Sequence, residues 1–252
     1  MNLGKYFRYI DKNSIGTYFS IPLLFKNIAF DNNFQPNVEE VLKAVDPSTK
    51  MLFICSPNNP TGNSMHADKI KQLIAGFPGI VVVDEAYIDF AAQGSLTPWI
   101  ERYSNLVILQ TFSKAWGLAG IRLGMAFAQE WIIELFNKVK PPYNVNKLTQ
   151  EAVLDKLIQG DTIQDEITTV LGQRALLQQY LSSLDYIEKI YPSDTNFILM
   201  KVKEPKRLYD FLVDKGIIVR DRSKVLLCDG CLRISIGTPK ENEKLFNAML
   251  EF

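Results

Sequence analysis

The sequence predicts an α/β protein, with a mostly parallel central sheet flanked by helices and a smaller α+β layer after it. Three observations predict this. Short uninterrupted apolar runs at 51–55, 79–83 and 106–109 have the pattern of strands buried on both faces. Segments with helical spacing alternate with them, as crossovers between parallel strands require. After Asp185 the pattern changes to closely spaced short strands and amphipathic helices. On this basis a large domain is expected over 1–160, with an interdomain helix and a small domain over 161–252.

In chain order, 1–20 reads as irregular and 21–30 is apolar enough to contain a strand. A helix is expected over 38–45, capped by Asn37 and stopped by Asp46-Pro47. The strand at 51–55 ends in Ser56-Pro57-Asn58-Asn59-Pro60-Thr61-Gly62, a loop at its carboxyl end. A helix over 67–76 leads to a second strand, 79–85, which ends in acids. Further strands are expected at 105–110 and 121–128. Helices follow over 131–139, stopped by Pro141-Pro142, then over 146–158 and over 161–184, the last long enough to bridge two domains. The final layer reads as strands at 186–191 and 196–202, a helix over 206–215 closed by Gly216, strands at 217–220 and 231–236, and a terminal helix over 239–251.

Composition narrows the function classes. Lys+Arg and Asp+Glu are both 28 in 252 residues, so bulk charge points to no nucleic-acid or anionic-membrane partner. No apolar run is long enough to span a bilayer, and the first ten residues lack the apolar core of a signal peptide. Three cysteines make no disulfide framework, so the cytoplasm is the expected compartment.

In open parallel sheets, ligands sit beyond the carboxyl ends of the strands. Asn59, Asp84 and Lys114 all fall just past such ends. Lys114 is either a surface lysine on a helix start or a reactive amine, and a reactive amine needs a crowded, partly desolvated place. Thr111 and Ser113 precede it and Arg122 follows eight residues later, a set able to hold a phosphate. Asp84 ends an apolar strand, so it either caps the next turn or meets a cation such as a protonated pyridine nitrogen. Tyr87 can turn its hydroxyl to the same place or pack in the core. Asn59 is a turn-former before Pro60 or a donor to a phenolic oxygen.

As a set, Asn59, Asp84, Tyr87, Lys114 and Arg122 resemble the pyridoxal-phosphate enzymes of the aspartate aminotransferase fold, the type I fold of these transferases. Asn59-Pro60-Thr61-Gly62 looks like that family's cofactor loop. The resemblance implies pyridoxal 5'-phosphate as cofactor, with Lys114 as the Schiff-base lysine and Asp84 on the pyridine nitrogen. It places Tyr87 and Asn59 on the phenolic oxygen, and Thr111, Ser113 and Arg122 around the phosphate. It narrows to the histidinol-phosphate aminotransferase family on four further stretches. These are Lys140-Pro-Pro-Tyr-Asn-Val-Asn146, Tyr191-Pro-Ser-Asp-Thr-Asn-Phe197 and Gly216-Ile-Ile-Val-Arg-Asp221 with Cys231-Leu-Arg-Ile-Ser-Ile-Gly237.

The resemblance implies exchange of an amino group between histidinol phosphate and 2-oxoglutarate, giving imidazole-acetol phosphate and glutamate in histidine biosynthesis, by a homodimer. It assigns Arg233 to the substrate carboxylate and phosphate and Arg220 to the phosphate. On the residues alone, a structural ion pair is the alternative reading of each arginine. A threonine-phosphate decarboxylase, an aromatic-amino-acid aminotransferase or an inactive remnant of the same fold are the alternatives. The family has a further phosphate-binding segment ahead of the matched part, and 1–20 shows no counterpart beyond Tyr18 as a possible aromatic, so an N-terminally shortened chain is the expectation. Cys228-Asp-Gly-Cys231 reads as a turn with incidental thiols rather than a zinc site, and His66 as an exposed residue at a helix start.

Overall fold

The computed structural model describes residues 25–158 and 160–252. The readings of 1–20, including Tyr18, lie outside those residues.

The first sheet holds β1 (Met51–Cys55), β2 (Ile80–Asp84), β3 (Leu106–Thr111) and β4 (Gly124–Ala128), in that order. β1, β2 and β3 are parallel, and β4 runs antiparallel to β3. The link from β3 to β4 contains only a 3-10 turn, Ala119–Ile121, and no crossover helix, so the chain returns alongside β3. Strand alternation assigns the two faces. Val81, Val83, Leu106 and Ile108 meet Ile70, Leu73 and Ile74 of α2 (Ala67–Gly76), and Val41 of α1 (Val38–Lys43) joins them. Val82 and Val107 point the other way, to Ile132 of α3 (Glu130–Val139).

α4 (Lys147–Ile158) is followed by α5 (Gly160–Leu181), which touches both layers. Ile163 and Ile167 pack with Tyr87, Phe90 and Ala115, whereas Leu177 and Leu181 enter the second core. That core lies under an antiparallel sheet of β5 (Ile187–Ile190), β6 (Phe197–Val202), β8 (Cys231–Ser235) and β7 (Arg220–Asp221), in spatial order β5-β6-β8-β7. α6 (Pro205–Asp214) and α7 (Pro239–Leu250) cover one face through Leu208, Leu212, Leu245 and Met249. Local chemistry fixes the start of α7: Thr238 and Glu241 form a reciprocal capping box, with Pro239 in the first turn.

Of the stretch 21–30, the described residues 25–30 hold a single bridge, between Phe30 and Pro36. One expectation changes. The strand expected at 217–220 shrinks to Arg220–Asp221. Residues 216–217 instead close α6. Gly216 sits at φ +70°, its N–H donates to Val213 O at 2.8 Å, and Ile217 N–H donates to Leu212 O at 2.8 Å. This left-handed glycine closure satisfies the last carbonyls of α6, so the chain turns before it can extend.

Candidate active site

The site begins where β1 and β2 end together, with Cys55 in register with Asp84. The chain then turns through 56–64, which its own polar groups shape. Asn58 Nδ2 donates to Thr61 Oγ1 at 2.7 Å, and Gly62 N–H donates to Asn58 O at 2.8 Å. Gly62 has φ +85°, and a Cβ there would meet Ser193 Oγ at 3.1 Å, so both conformation and space call for glycine. The second layer clamps the loop: Asp194 N–H donates to Gly62 O at 2.7 Å, and Ser64 N–H donates to Asp194 Oδ2 at 3.0 Å.

This clamp presents Asn59 between the two layers. Arg233 Nη1 of β8 donates to Asn59 Oδ1 at 2.6 Å, and Asn59 Nδ2 donates to the Tyr87 hydroxyl at 3.4 Å. The Tyr87 ring meets Phe197 edge-on at 5.3 Å, and the Arg233 guanidinium lies 4.8 Å from the Phe197 ring centre. Four side chains thus close a cycle, Asn59–Tyr87–Phe197–Arg233. Lys114 Nζ joins it 5.1 Å from the Tyr87 ring centre.

Asp84 follows the last apolar residues of β2. Ala86 N–H donates to its Oδ1 at 3.0 Å. Burial raises its pKa; that bond and the charge of Lys114 work in the opposite direction. Among the described residues no cation hydrogen-bonds to it. Burial, with Asp84 alongside, also pushes the Cys55 thiol up to about 12, so it stays a neutral neighbour. Glu85 points away and does other work. It is 1% exposed and accepts from Leu96 N–H at 2.7 Å, Ser95 Oγ at 2.6 Å and Gln110 Nε2 at 2.9 Å.

The turn after β3 departs from expectation. Lys114 is exposed rather than crowded. The reason is local: added methyl groups at Gly117 and Gly120 would meet nothing within 4 Å, so the turn is open. Thr111 Oγ1 lies 2.9 Å from Ser113 Oγ, which brings the two hydroxyls together. Arg122 is exposed in left-handed backbone, φ +57°, and its Nη1 donates to Ala119 O at 3.0 Å. Arg220, also exposed, is in register with Arg233 across β7 and β8. Burial, then the charge of Arg222, lowers the pKa of Arg233.

Sequence reasoning missed Glu85, Arg174 and Arg222. Arg174 of α5 donates to Thr195 O at 2.8 Å and so braces the turn that clamps Gly62. Strand alternation was the available signal for Glu85, one position past Asp84, and for Arg222, two positions past Arg220. Cys228 and Cys231 pack with Phe34 and Leu199, across a turn in which Gly230 takes φ +72°.

A parallel sheet whose strand ends carry an amide, a carboxylate and a lysine, facing an arginine from a second sheet, suits a ligand with both a ring and an anion. The chain belongs to the aminotransferase class I and II family, whose pattern matches residues 21–249. Over 217 residues it is 52% identical to the histidinol-phosphate aminotransferase of Cytophaga hutchinsonii, covering 86% of this chain and 62% of that protein. The chain therefore spans less than two thirds of that relative's length. Among solved structures, the histidinol-phosphate aminotransferase of Sinorhizobium meliloti in complex with pyridoxal-5'-phosphate superposes with a TM-score of 0.79 at 25% identity, over 88% of this chain and 62% of that one. The L-threonine-O-3-phosphate decarboxylase of Porphyromonas gingivalis superposes with a TM-score of 0.73 at 26% identity, over 85% and 68%. The expected type I fold is the fold observed.

Proposed function

We propose that the chain is the catalytic portion of a pyridoxal-phosphate aminotransferase that exchanges the amino group between histidinol phosphate and 2-oxoglutarate. The observation that carries this reading is the Asn59–Tyr87–Phe197–Arg233 cycle with Lys114 against it, in a chain half identical to a histidinol-phosphate aminotransferase.

The residues fit the cofactor. Asp84, a carboxylate raised by burial and lacking a hydrogen-bonded cation among the described residues, would hold the protonated ring nitrogen. Tyr87 and Asn59 would hold the ring hydroxyl, and Thr111, Ser113 and Arg122 the phosphate. Bound there, the cofactor supplies a carbonyl carbon that condenses with amines and a ring that takes up electrons. Lys114 Nζ would take the proton from the amino-bearing carbon of the substrate. Arg233 would orient the carboxylate of 2-oxoglutarate or glutamate and the phosphate of histidinol phosphate, and its bond to Asn59 ties that orientation to the cofactor loop.

A homodimer is proposed on the exposed apolar stripes of α3 and α4, with a second copy of this chain as the occupant. The proposed setting is the cytoplasm, where free thiols such as Cys55, Cys228 and Cys231 stay reduced. Among the described residues no helix is long and apolar enough to cross a membrane.

The test is product analysis on cofactor-loaded protein. Histidinol phosphate with 2-oxoglutarate should yield glutamate, and Lys114→Ala should cut the rate by about 10³-fold or more. Borohydride treatment should fix the cofactor's mass on Lys114 and nowhere else. Carbon dioxide release from threonine phosphate with no glutamate formed would favour the decarboxylase reading. Full activity in Lys114→Ala would overturn the role given to Lys114.

A further inference from the structure

We propose that Arg222 is a third guanidinium in the anion-binding cup, a specificity residue that holds the phosphate of the amino substrate beside Arg220 and Arg233. The inference rests on the reading of this site as acting on a phosphorylated amine. It starts from strand geometry. Side chains two apart on a strand share a face, and residues in register across a ladder share it too. Arg220 is in register with Arg233, and Arg222 N–H donates to Cys231 O at 2.8 Å, carrying the ladder past Asp221. All three arginines therefore lie on one face of the sheet, away from the core under Leu232 and Ile234.

Their surroundings lack counter-charge. Among the described residues, no ion pair engages Arg220, Arg222 or Arg233. The Nε atoms of Arg222 and Arg233 are both buried without a hydrogen-bond partner. Buried, unpaired donors are costly, and like charges crowded together add to the cost. The charges of Arg222 and Arg220 both act to lower the pKa of Arg233, and that of Arg222 acts more strongly. A bound dianion relieves this repulsion and supplies the missing counter-charge. A carboxylate, with one charge and two oxygens, is served by one fork, whereas a phosphate has oxygens for several. The third arginine thus fits the phosphate of histidinol phosphate rather than the carboxylate of 2-oxoglutarate or glutamate.

Titration calorimetry separates the two ends. Histidinol phosphate and histidinol are each titrated into wild-type protein, Arg222→Gln and Arg222→Lys, with thermal melting as the check on folding. The wild type should bind the phosphorylated compound more tightly. Arg222→Gln should weaken that compound about tenfold or more and histidinol by no more than about twofold. Arg222→Lys, which keeps charge but loses the fork, should recover part of the difference, and it carries the test if the glutamine variant does not fold. Equal weakening of both ligands, or no change in either, would overturn the inference. Threonine phosphate is titrated in parallel. If the wild type prefers it and Arg222→Gln abolishes that preference, the substrate assignment fails while the role of Arg222 stands. A wild type indifferent to phosphate on either amine would overturn the role itself.

Discussion

Asp84 is a side chain at odds with its surroundings. Burial raises its pKa above the ordinary 3.8, so its charged form weighs against the fold. The sign follows. Below the ordinary value the carboxyl is protonated in folded and unfolded chains alike and costs nothing. As the pH rises through the raised folded value, the unfolded chain ionises more readily and stability is lost. Asp84→Asn, which keeps an acceptor for Ala86 N–H, should therefore stabilise the cofactor-free chain at pH 7 by on the order of 1 kcal/mol. Melting curves should show that gain shrinking towards pH 4, and an equal gain at both values would contradict it. The same variant should bind cofactor more weakly, since a neutral amide cannot neutralise a protonated ring nitrogen. At this scale the sequence was informative where chemistry and position coincide: a carboxylate ending an apolar strand is costly enough to stand out. It left Lys114 open between a surface and a crowded place, and the open space around Gly117 and Gly120 decides for the surface.

The end of β2 splits its work between two acids. Asp84 faces the site, and Glu85 turns inward to gather Leu96 N–H, Ser95 and Gln110. Glu85→Ala would leave those donors without an acceptor in a place that is 1% exposed, at a cost of about 3 kcal/mol. A urea melt should show a lower midpoint with an unchanged slope, and a midpoint equal to wild type would remove Glu85 from the scaffold. Most elements were readable in the sequence because apolar periodicity is strong in buried strands; β1, β2, β3, α2 and α7 fall where it puts them. The failures share a cause. An apolar run alone does not distinguish a strand from a tight closure, so 217–220 read as extended although Gly216 and Ile217 were closing α6. Hydrogen bonds between layers, such as Arg174 to Thr195, leave no periodic trace at all.

Apolar residues at helical spacing remain exposed on the molecule. Trp131, Leu135 and Val139 on α3 are 46%, 48% and 55% exposed, and Leu154, Leu157 and Ile158 on α4 are 59%, 46% and 85% exposed. Stripes of this kind bury themselves against a neighbour, and the proposed neighbour is a second copy. Sedimentation should find a dimer for the wild type and a shift to monomer for the double variant Leu154→Lys with Ile158→Lys. A monomeric wild type would dismiss the dimer.

The contact between Arg233 and Asn59 also has a consequence for how the molecule comes into being. It joins residues 174 apart in sequence, and the bond between Ser64 and Asp194 joins residues 130 apart. Each sheet, by contrast, pairs strands from its own part of the chain. Closing the longer loops costs entropy that only preformed surfaces repay, so both sheets precede the union of their edges. A chain leaving the ribosome has β1, β2 and β3 long before it has Arg233, and until that arginine arrives Asn59 Oδ1 lacks its donor. Completion of the proposed site is thus a late event in this molecule's synthesis, set by its last strand.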